Sequence, residues 1–246
     1  MRICALASGS TGNALLVEAP RGWLLIDAGL PWRQLRARAA RAGFRLTRLS
    51  TVVITHEHAD HVRGLSPLVR QGVEVWGSEG TLRALGLPGR VLGEEQELLG
   101  LRLRPFAVPH DALQPVGLRL ELNGTRLGVA TDLGQVTPTV LAGLAGCSTV
   151  VVEANHDLAR LLSGTYPWPL KRRVMGPRGH LANEEAGQAL ARIAAGGLRN
   201  VVLAHLSREN NSPALALETV SRALDGWGGR LYLSYPDRPG AVVAAA

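Results

Sequence analysis

The sequence predicts a layered α/β fold, formed as one unit over residues 1–246. Three observations carry that expectation. Runs of strand character recur from end to end, helical segments are interleaved with them, and 46% hydrophobic content in 246 residues suffices to bury one large core. No heptad pattern, internal repeat, low-complexity tract or long Ser/Gly linker divides the chain.

The elements follow in order. Arg2–Ala7, Ala14–Ala19 and residues 23–27 read as short strands, the last two joined through Pro20-Arg21-Gly22 as a turn. A helix is expected over 31–42, and the apolar run 51–55 reads as a buried strand. Val116–Leu122 and residues 125–131 flank Asn123-Gly124, a pair suited to a type I′ turn, which predicts a β-hairpin. Beyond it, strands are expected over 148–153, Asn200–Ala204 and 231–235. Helices are expected over 184–195, capped by Asn183, and over 213–224.

The chain carries 27 basic and 20 acidic residues, a formal net charge of +7, and every basic residue except Lys171 is arginine. Two readings of that excess stand: affinity for polyanions, or an arginine-rich surface that only solvates the fold. In and after the helix over 31–42, Arg33, Arg36, Arg38, Arg41, Arg45 and Arg48 offer either a basic track for a duplex backbone or a solvated helix face. The first apolar run, residues 3–7, is too short for a secretory signal or a bilayer span, so a cytoplasmic protein without membrane contact is expected. Cys4 and Cys147 lie in or beside apolar segments without CxxC spacing. That disfavours a disulfide framework or a cysteine zinc knuckle and suits buried small side chains.

The chemistry is concentrated after the run 51–55, where His56, His58, Asp60 and His61 fall within six residues in His56-Glu57-His58-Ala59-Asp60-His61. In an extended loop His56 and His58 project to one side, and a helix opening at Asp60 and His61 can bring those two to an adjacent point. Such an arrangement can hold two metals. Imidazole and carboxylate donors suit Zn, Mn or Fe, whereas unpaired buried His and Asp would be a costly way to fill a core.

This segment matches the HxHxDH signature of the metallo-β-lactamase superfamily, which the chain resembles. Further candidates stand in the matching order, each where a strand meets a loop: His110 after Val108-Pro109, Asp132 at the end of the hairpin, and His205 after Asn200–Ala204. The resemblance implies a four-layer αββα sandwich. It implies that His56, His58 and His110 hold one divalent ion and Asp60, His61 and His205 a second, with Asp132 bridging them. Hydrolysis by a hydroxide bridging the two metals is the implied reaction. Asp27, in Leu25-Ile26-Asp27-Ala28-Gly29, resembles an early Asp of the superfamily that supports the ligands from behind; a turn carboxylate is the alternative.

Substrate class depends on the differences. Asp132 stands where antibiotic-hydrolysing members carry cysteine, which argues against a β-lactamase, and His58 argues against the flavodiiron-type branch. A glyoxalase-like hydrolase of thioesters or lactones keeps nearly the same donors and remains the alternative function. Three further segments separate the readings: Glu153-Ala154-Asn155-His156-Asp157, Tyr166-Pro167-Trp168-Pro169-Leu170-Lys171-Arg172-Arg173, and Gly179-His180-Leu181-Ala182-Asn183. Cations and helix N-terminal amides bind phosphate oxygens, and aromatic rings stack on unpaired bases. A solvated charged turn, with the rings packed on prolines, is the other reading.

These segments, with Ala7-Ser8-Gly9-Ser10-Thr11-Gly12-Asn13, resemble the YycJ (WalJ) branch of the superfamily, whose members are regarded as single-domain exonucleases acting on DNA. The resemblance implies a metal-dependent DNA exonuclease in which Asp60 and Asp132 serve catalysis. His180 is the candidate acid for the leaving oxygen, with a helix-capping or supporting role as its alternative. Asn155, His156, Lys171 and Arg172 are candidate phosphate contacts, and Ser8 and Asn13 candidates to shape the loop beneath the metals. The chain is too short for an added β-CASP domain, which sets aside RNA processing of the RNase J kind. A homodimer is compatible with the sequence.

Overall fold

Strands apolar on both faces decide the architecture. In β1 (Arg2–Ala7), Ile3 and Ala5 turn to one side and Cys4 and Leu6 to the other, and all four are buried. Such a strand needs cover on both faces. The structure, a computed structural model, describes residues 1–245, and at Arg48 the backbone alone.

The first half continues with β2 (Ala14–Ala19), β3 (Gly22–Ile26), helix α1 (Trp32–Arg41), β4 (Leu49–Ile54), the short helices α2 (Ala59–Val62) and α3 (Leu65–Arg70), β5 (Glu74–Gly77), α4 (Glu79–Leu85) and β6 (Arg90–Val91). The second half runs β7 (Gln96–Leu98), β8 (Leu101–Ala107), β9 (Val116–Leu122), β10 (Thr125–Ala130), α5 (Pro138–Leu144), β11 (Thr149–Glu153), α6 (Leu158–Ser163), α7 (Trp168–Val174), α8 (Asn183–Ala194), β12 (Asn200–Ala204), α9 (Pro213–Ala223) and β13 (Arg230–Leu233). The short β14 (Val243–Ala244) returns to pair with β1.

Two seven-stranded sheets result, in the orders β14-β1-β2-β3-β4-β5-β6 and β13-β12-β11-β10-β9-β8-β7. One apolar cluster, with Val17, Ile26, Leu103, Leu120 and Val151, lies between the sheets. A second joins Leu16 and Leu25 to Leu35, Leu68 and Leu82 of the first-half helices, and a third joins Val150 and Val201 to Leu144, Leu190 and Val220 of the second-half helices. Three apolar interfaces make four layers, the αββα sandwich that the resemblance implied.

The hairpin forms where Asn123-Gly124 predicts it: Asn123 and Gly124 have φ of 49° and 80°, both left-handed, as a type I′ turn requires. The expected cap of the helix over 184–195 is corrected. Helix α8 begins at Asn183 itself, with Ala182 in the cap position. The Asn183 side chain is withdrawn into a buried pair with Asn211, and the Ala182 N–H donates instead to the Glu185 carboxylate. Of the arginines in and after α1, Arg38 turns inward to donate to the carbonyls of Leu6 and Pro236, while Arg33, Arg36, Arg41 and Arg45 are exposed; the side chain of Arg48 lies outside the described residues. Both cysteines are buried and free, and burial pushes their thiols up to about 11. No helix among the described residues is long and apolar enough to cross a membrane.

Candidate metal centre

The carboxyl ends of β3, β4, β8, β10, β11 and β12 open onto one edge of the sandwich, and the residues that follow them build the centre. Asp27, Asp132 and His205 follow their strands in the left-handed region, with φ of 61°, 56° and 56°. Residues other than glycine rarely stand there, at a cost of about 1–3 kcal/mol each. The turn aims each side chain back over the sheet edge. Gly29 serves the same end: a Cβ there would lie 1.6 Å from the Asp60 carbonyl oxygen, so only glycine lets the loop after β3 pass against α2.

His56, His58 and His110 form one group of donors and Asp60, His61, Asp132 and His205 another, with the donor atoms of each group within 4.8 Å of one another. Asp132 stands between them. Its Oδ1 lies 3.4 Å from His205 Nε2 and 4.0 Å from His110 Nε2, and its Oδ2 lies 3.3 Å from His61 Nε2. The seven residues singled out in the sequence as ligands are thereby brought to one place.

Each of the five imidazoles has one nitrogen tied to an oxygen. His56 Nδ1 donates to Thr55 Oγ1 at 3.1 Å, His58 Nε2 to the Asp111 carbonyl at 3.2 Å, and His110 Nδ1 to the Gly179 carbonyl at 3.1 Å. His61 Nδ1 donates to Asp27 Oδ2 and His205 Nδ1 to Glu153 Oε1, both at 2.8 Å. The other nitrogens face a shared space. Within it His56 Nε2, His205 Nε2 and Asp132 Oδ2 are buried without a hydrogen-bond partner, and His58 Nδ1 approaches His110 Nε2 to 3.3 Å. Buried polar atoms that converge without partners in this way are costly unless a cation joins them, and so the side chains fit divalent metal ions.

The two groups differ electrically. Burial holds His56 and His110 below the ordinary imidazole range, so both are neutral at pH 7. Burial also opposes a charge on His61, but the Asp27 and Asp132 carboxylates outweigh it and lift the group to about 10. His205 rises well above its ordinary value against burial, through Asp132, Asp60 and Glu153. Asp132 is itself held well below the carboxylate range, because His205 and His61 overcome its burial. Cation binding at this group must displace imidazole protons.

Behind the donors lies a layer of support. Asp27 accepts the Thr55 N–H at 2.8 Å and the Thr55 hydroxyl at 3.0 Å as well as His61. Asn13 Nδ2 donates to Asp60 Oδ2 at 3.1 Å, and the Ser8 hydroxyl accepts the His205 N–H at 2.8 Å and donates to Asn13. Asn155 donates to the His205 carbonyl. His156 is buried, and burial lowers its pKa to about 4. Lys171 is buried too, its Nζ donating to the Leu162 carbonyl at 2.6 Å. Of the six residues expected near substrate, the structure leaves Arg172 alone exposed and gives Ser8, Asn13, Asn155, His156 and Lys171 buried positions.

Glu153 escaped the sequence reading as a working residue. Fully buried, it accepts His180 Nδ1 and His205 Nδ1, each at 2.8 Å, and the N–H groups of Leu133 and Leu181. Against burial, His180 and its hydrogen bond hold the Glu153 carboxyl down to about 2. The available signal was a lone carboxylate closing the apolar run Val150-Val151-Val152, a place where an unpaired charge is costly. His180 lies with its ring centroid 5.3 Å from His110 and 5.1 Å from His205, its side chain 24% exposed. Burial would lower its pKa, but Glu153 raises it. Asp111 was also missed: it receives Arg173 at 2.9 and 2.7 Å, with Oδ1 3.3 Å from His110 Nε2.

A family model described as the beta-lactamase superfamily domain matches residues 22–206. The chain belongs to the beta-lactamase superfamily. Within the superfamily it falls in the YycJ/WalJ branch. It is 34% identical over 239 residues to "Exodeoxyribonuclease YycJ" of Bacillus anthracis, covering 93% of this chain and 90% of that protein. To "Exodeoxyribonuclease WalJ" of Streptococcus pneumoniae it is 32% identical over 232 residues, covering 89% and 86%. The crystal structure of the metallo-beta-lactamase fold protein YhfI from Bacillus subtilis shares the fold at a TM-score of 0.74, with 14% identity and 98% of both chains covered. Superfamily membership and the donor set together make this chain a metal-dependent hydrolase.

Proposed function

We propose that the chain is a DNA exonuclease of the cytoplasm, working with divalent ions held by His56, His58, His110, Asp60, His61, His205 and Asp132. The observation that carries the reaction class is the convergence of these donors, each imidazole oriented by an oxygen behind it. Likeness to two proteins named exodeoxyribonucleases, along about nine-tenths of the chain, supports DNA as the substrate.

When bound, the ions supply Lewis acidity, lowering the pKa of water and stabilising charge on the attacked phosphate. The chain's own residues do the rest. Asp27, Thr55 and Glu153 set the tautomers of His61, His56 and His205, so the donors are in place before substrate arrives. Asp132 reaches both groups, 3.3 and 3.4 Å from His61 and His205 and 4.0 Å from His110, and Asn13 orients Asp60. His180, its Nδ1 committed to Glu153 and its side chain 24% exposed, is the candidate to give the leaving oxygen a proton. Arg172, exposed on α7, supplies a cation for phosphate oxygens.

The test is purified protein, stripped and reloaded with Mn or Zn, on end-labelled single- and double-stranded DNA, with a thioester assayed in parallel. DNA shortened only by the metal-loaded native protein is the expected result, and the order in which label is lost gives polarity. Cleavage of the thioester alone would keep the hydrolase and refute the substrate. A His180→Ala variant is expected to lose roughly 10²–10⁴ in kcat, and full activity in it would discard the proton-donor role.

A further inference from the structure

Like charges three or four residues apart on a helix repel, and a cation in the first turn adds to the positive end of the helix dipole. Helix α1 accepts both costs. Arg33 stands in its first turn, which holds no acidic residue, and Arg36 follows on the same face. Between Asp27 and Glu57 the chain carries six arginines and not one Asp or Glu. Arg38 is engaged by the carbonyls of Leu6 and Pro236. Arg33, Arg36 and Arg45 are exposed and form no ion pair among the described residues.

These three arginines border one groove of about 880 Å³, lined between them by Ala40, Leu49 and Val73 and, among the described residues, by no carboxylate. The groove has room for a stretch of polymer, far more than one small anion fills. Its near end adjoins the candidate centre. Pro31, which opens α1, lies four residues past Asp27, the partner of His61. A Cβ on Gly64 would lie 1.9 Å from the Leu30 carbonyl oxygen, so α1 starts packed against the end of α2. There Arg63, two residues past His61, is exposed and donates to the Thr11 carbonyl at 2.9 Å. Because β3 and β4 are parallel neighbours, α1 must run from the edge that bears the centre back to the opposite edge. Its ten residues carry the row of cations about 15 Å, and a strand with phosphates about every 3.4 Å along its axis places roughly four of them in that length. Unpaired cations in a row are stabilised by a polyanion, and continuity with the centre selects the polyanion that the centre cuts.

We propose that the α1 groove holds the backbone of the DNA behind the end being cut, with Arg33, Arg36 and Arg45 each on a phosphate. This inference rests on DNA being the substrate and extends its contact along the helical layer of the first sheet.

The experiment compares metal-loaded native protein with Arg33→Gln, Arg36→Gln, the triple variant Arg33→Gln/Arg36→Gln/Arg45→Gln, and Arg192→Gln, an exposed arginine of α8 that controls for net charge. Substrates are bis(p-nitrophenyl) phosphate, an oligonucleotide of about 3 nucleotides, too short to reach the far end of the groove, and one of about 20. Labelled polyglutamate serves as a protein-like polyanion. The triple variant is expected to raise KM for the long oligonucleotide roughly 10- to 100-fold with kcat little moved, while both small substrates are cleaved as by the native protein. Each single substitution on α1 is expected to lower the slope of log affinity against log salt by about one, and the triple by about three. An unchanged KM and slope in the triple variant would refute the groove and leave the nuclease reading standing. An equal loss in Arg192→Gln would reduce the effect to net charge and overturn the proposal. If the triple variant loses affinity for polyglutamate while its KM for DNA holds, the groove belongs to an acidic protein segment and the proposal also fails. Should the native protein cleave neither oligonucleotide, the substrate reading fails and the groove with it.

Discussion

Asp60, His61, Asp132 and His205 are largely buried and backed by the carboxylates of Asp27 and Glu153, whereas His56, His58 and His110 rest on a hydroxyl and two backbone carbonyls, with the His58 side chain 32% exposed. Charged backing makes an imidazole more basic, a stronger donor once deprotonated but one that holds a proton when no cation is present. Burial keeps His56 and His110 neutral, with a lone pair ready, at pH 7. The two groups of the candidate centre thus differ in proton demand: a cation held by His61 and His205 must displace protons, whereas His56 and His110 are already neutral at pH 7.

The largest break in this comparison comes from Asp132→Ala, which removes the carboxylate that both groups share. Activity should fall about 10³-fold, and elemental analysis should find metal lost from both groups in a protein whose far-ultraviolet dichroism is native. Metal lost from one group only would assign Asp132 to that group. Asp27→Asn should weaken metal affinity about 10- to 100-fold, read by competition with a chromophoric chelator. Asp111→Asn should cost less than about tenfold, because His58 uses the Asp111 backbone carbonyl at 3.2 Å and the side chain adds contacts with His110, Arg173 and, at 3.9 Å, His58. Equal losses would erase the distinction.

The proton balance sharpens the comparison further. His61, lifted to about 10, and His205, lifted in the same direction, are protonated at pH 7 in the metal-free protein. Loading the buried group should thus release about two protons, and its affinity should fall as pH drops below that of His61; titration calorimetry in buffers of different ionisation enthalpy reads both. No proton release would mean neutral imidazoles and a false contrast. The smallest expected signal comes from the cysteines, one in each half of the sandwich. With thiols pushed up to about 11 by burial, Cys4 and Cys147 should stay unreactive to Ellman's reagent at pH 8 until the fold is opened by denaturant.

The four contiguous donors of residues 56–61 were legible because their spacing alone puts them within reach of one another. His110, Asp132 and His205 were legible through the resemblance to the metallo-β-lactamase superfamily, whose motif order they follow, each where a strand meets a loop. Glu153 was not, since its meaning depends on His180 and His205, which lie 27 and 52 residues further along the chain. Lys171 read as an open cation, yet the turn of α7 that exposes Arg172 carries Lys171 inward to the end of α6.

Sequence determined the strand and helix pattern, the Asn-Gly hairpin and the donors of residues 56–61, because periodicity, turn chemistry and ligand spacing are local properties of the chain, and the resemblance to the superfamily supplied the remaining donors. Tertiary structure decided which nitrogen of each imidazole faces the centre, which polar groups lie behind the donors, and which of the basic and aromatic residues remain open. Those outcomes depend on hydrogen bonds and burial between segments far apart in the chain, which no local pattern records.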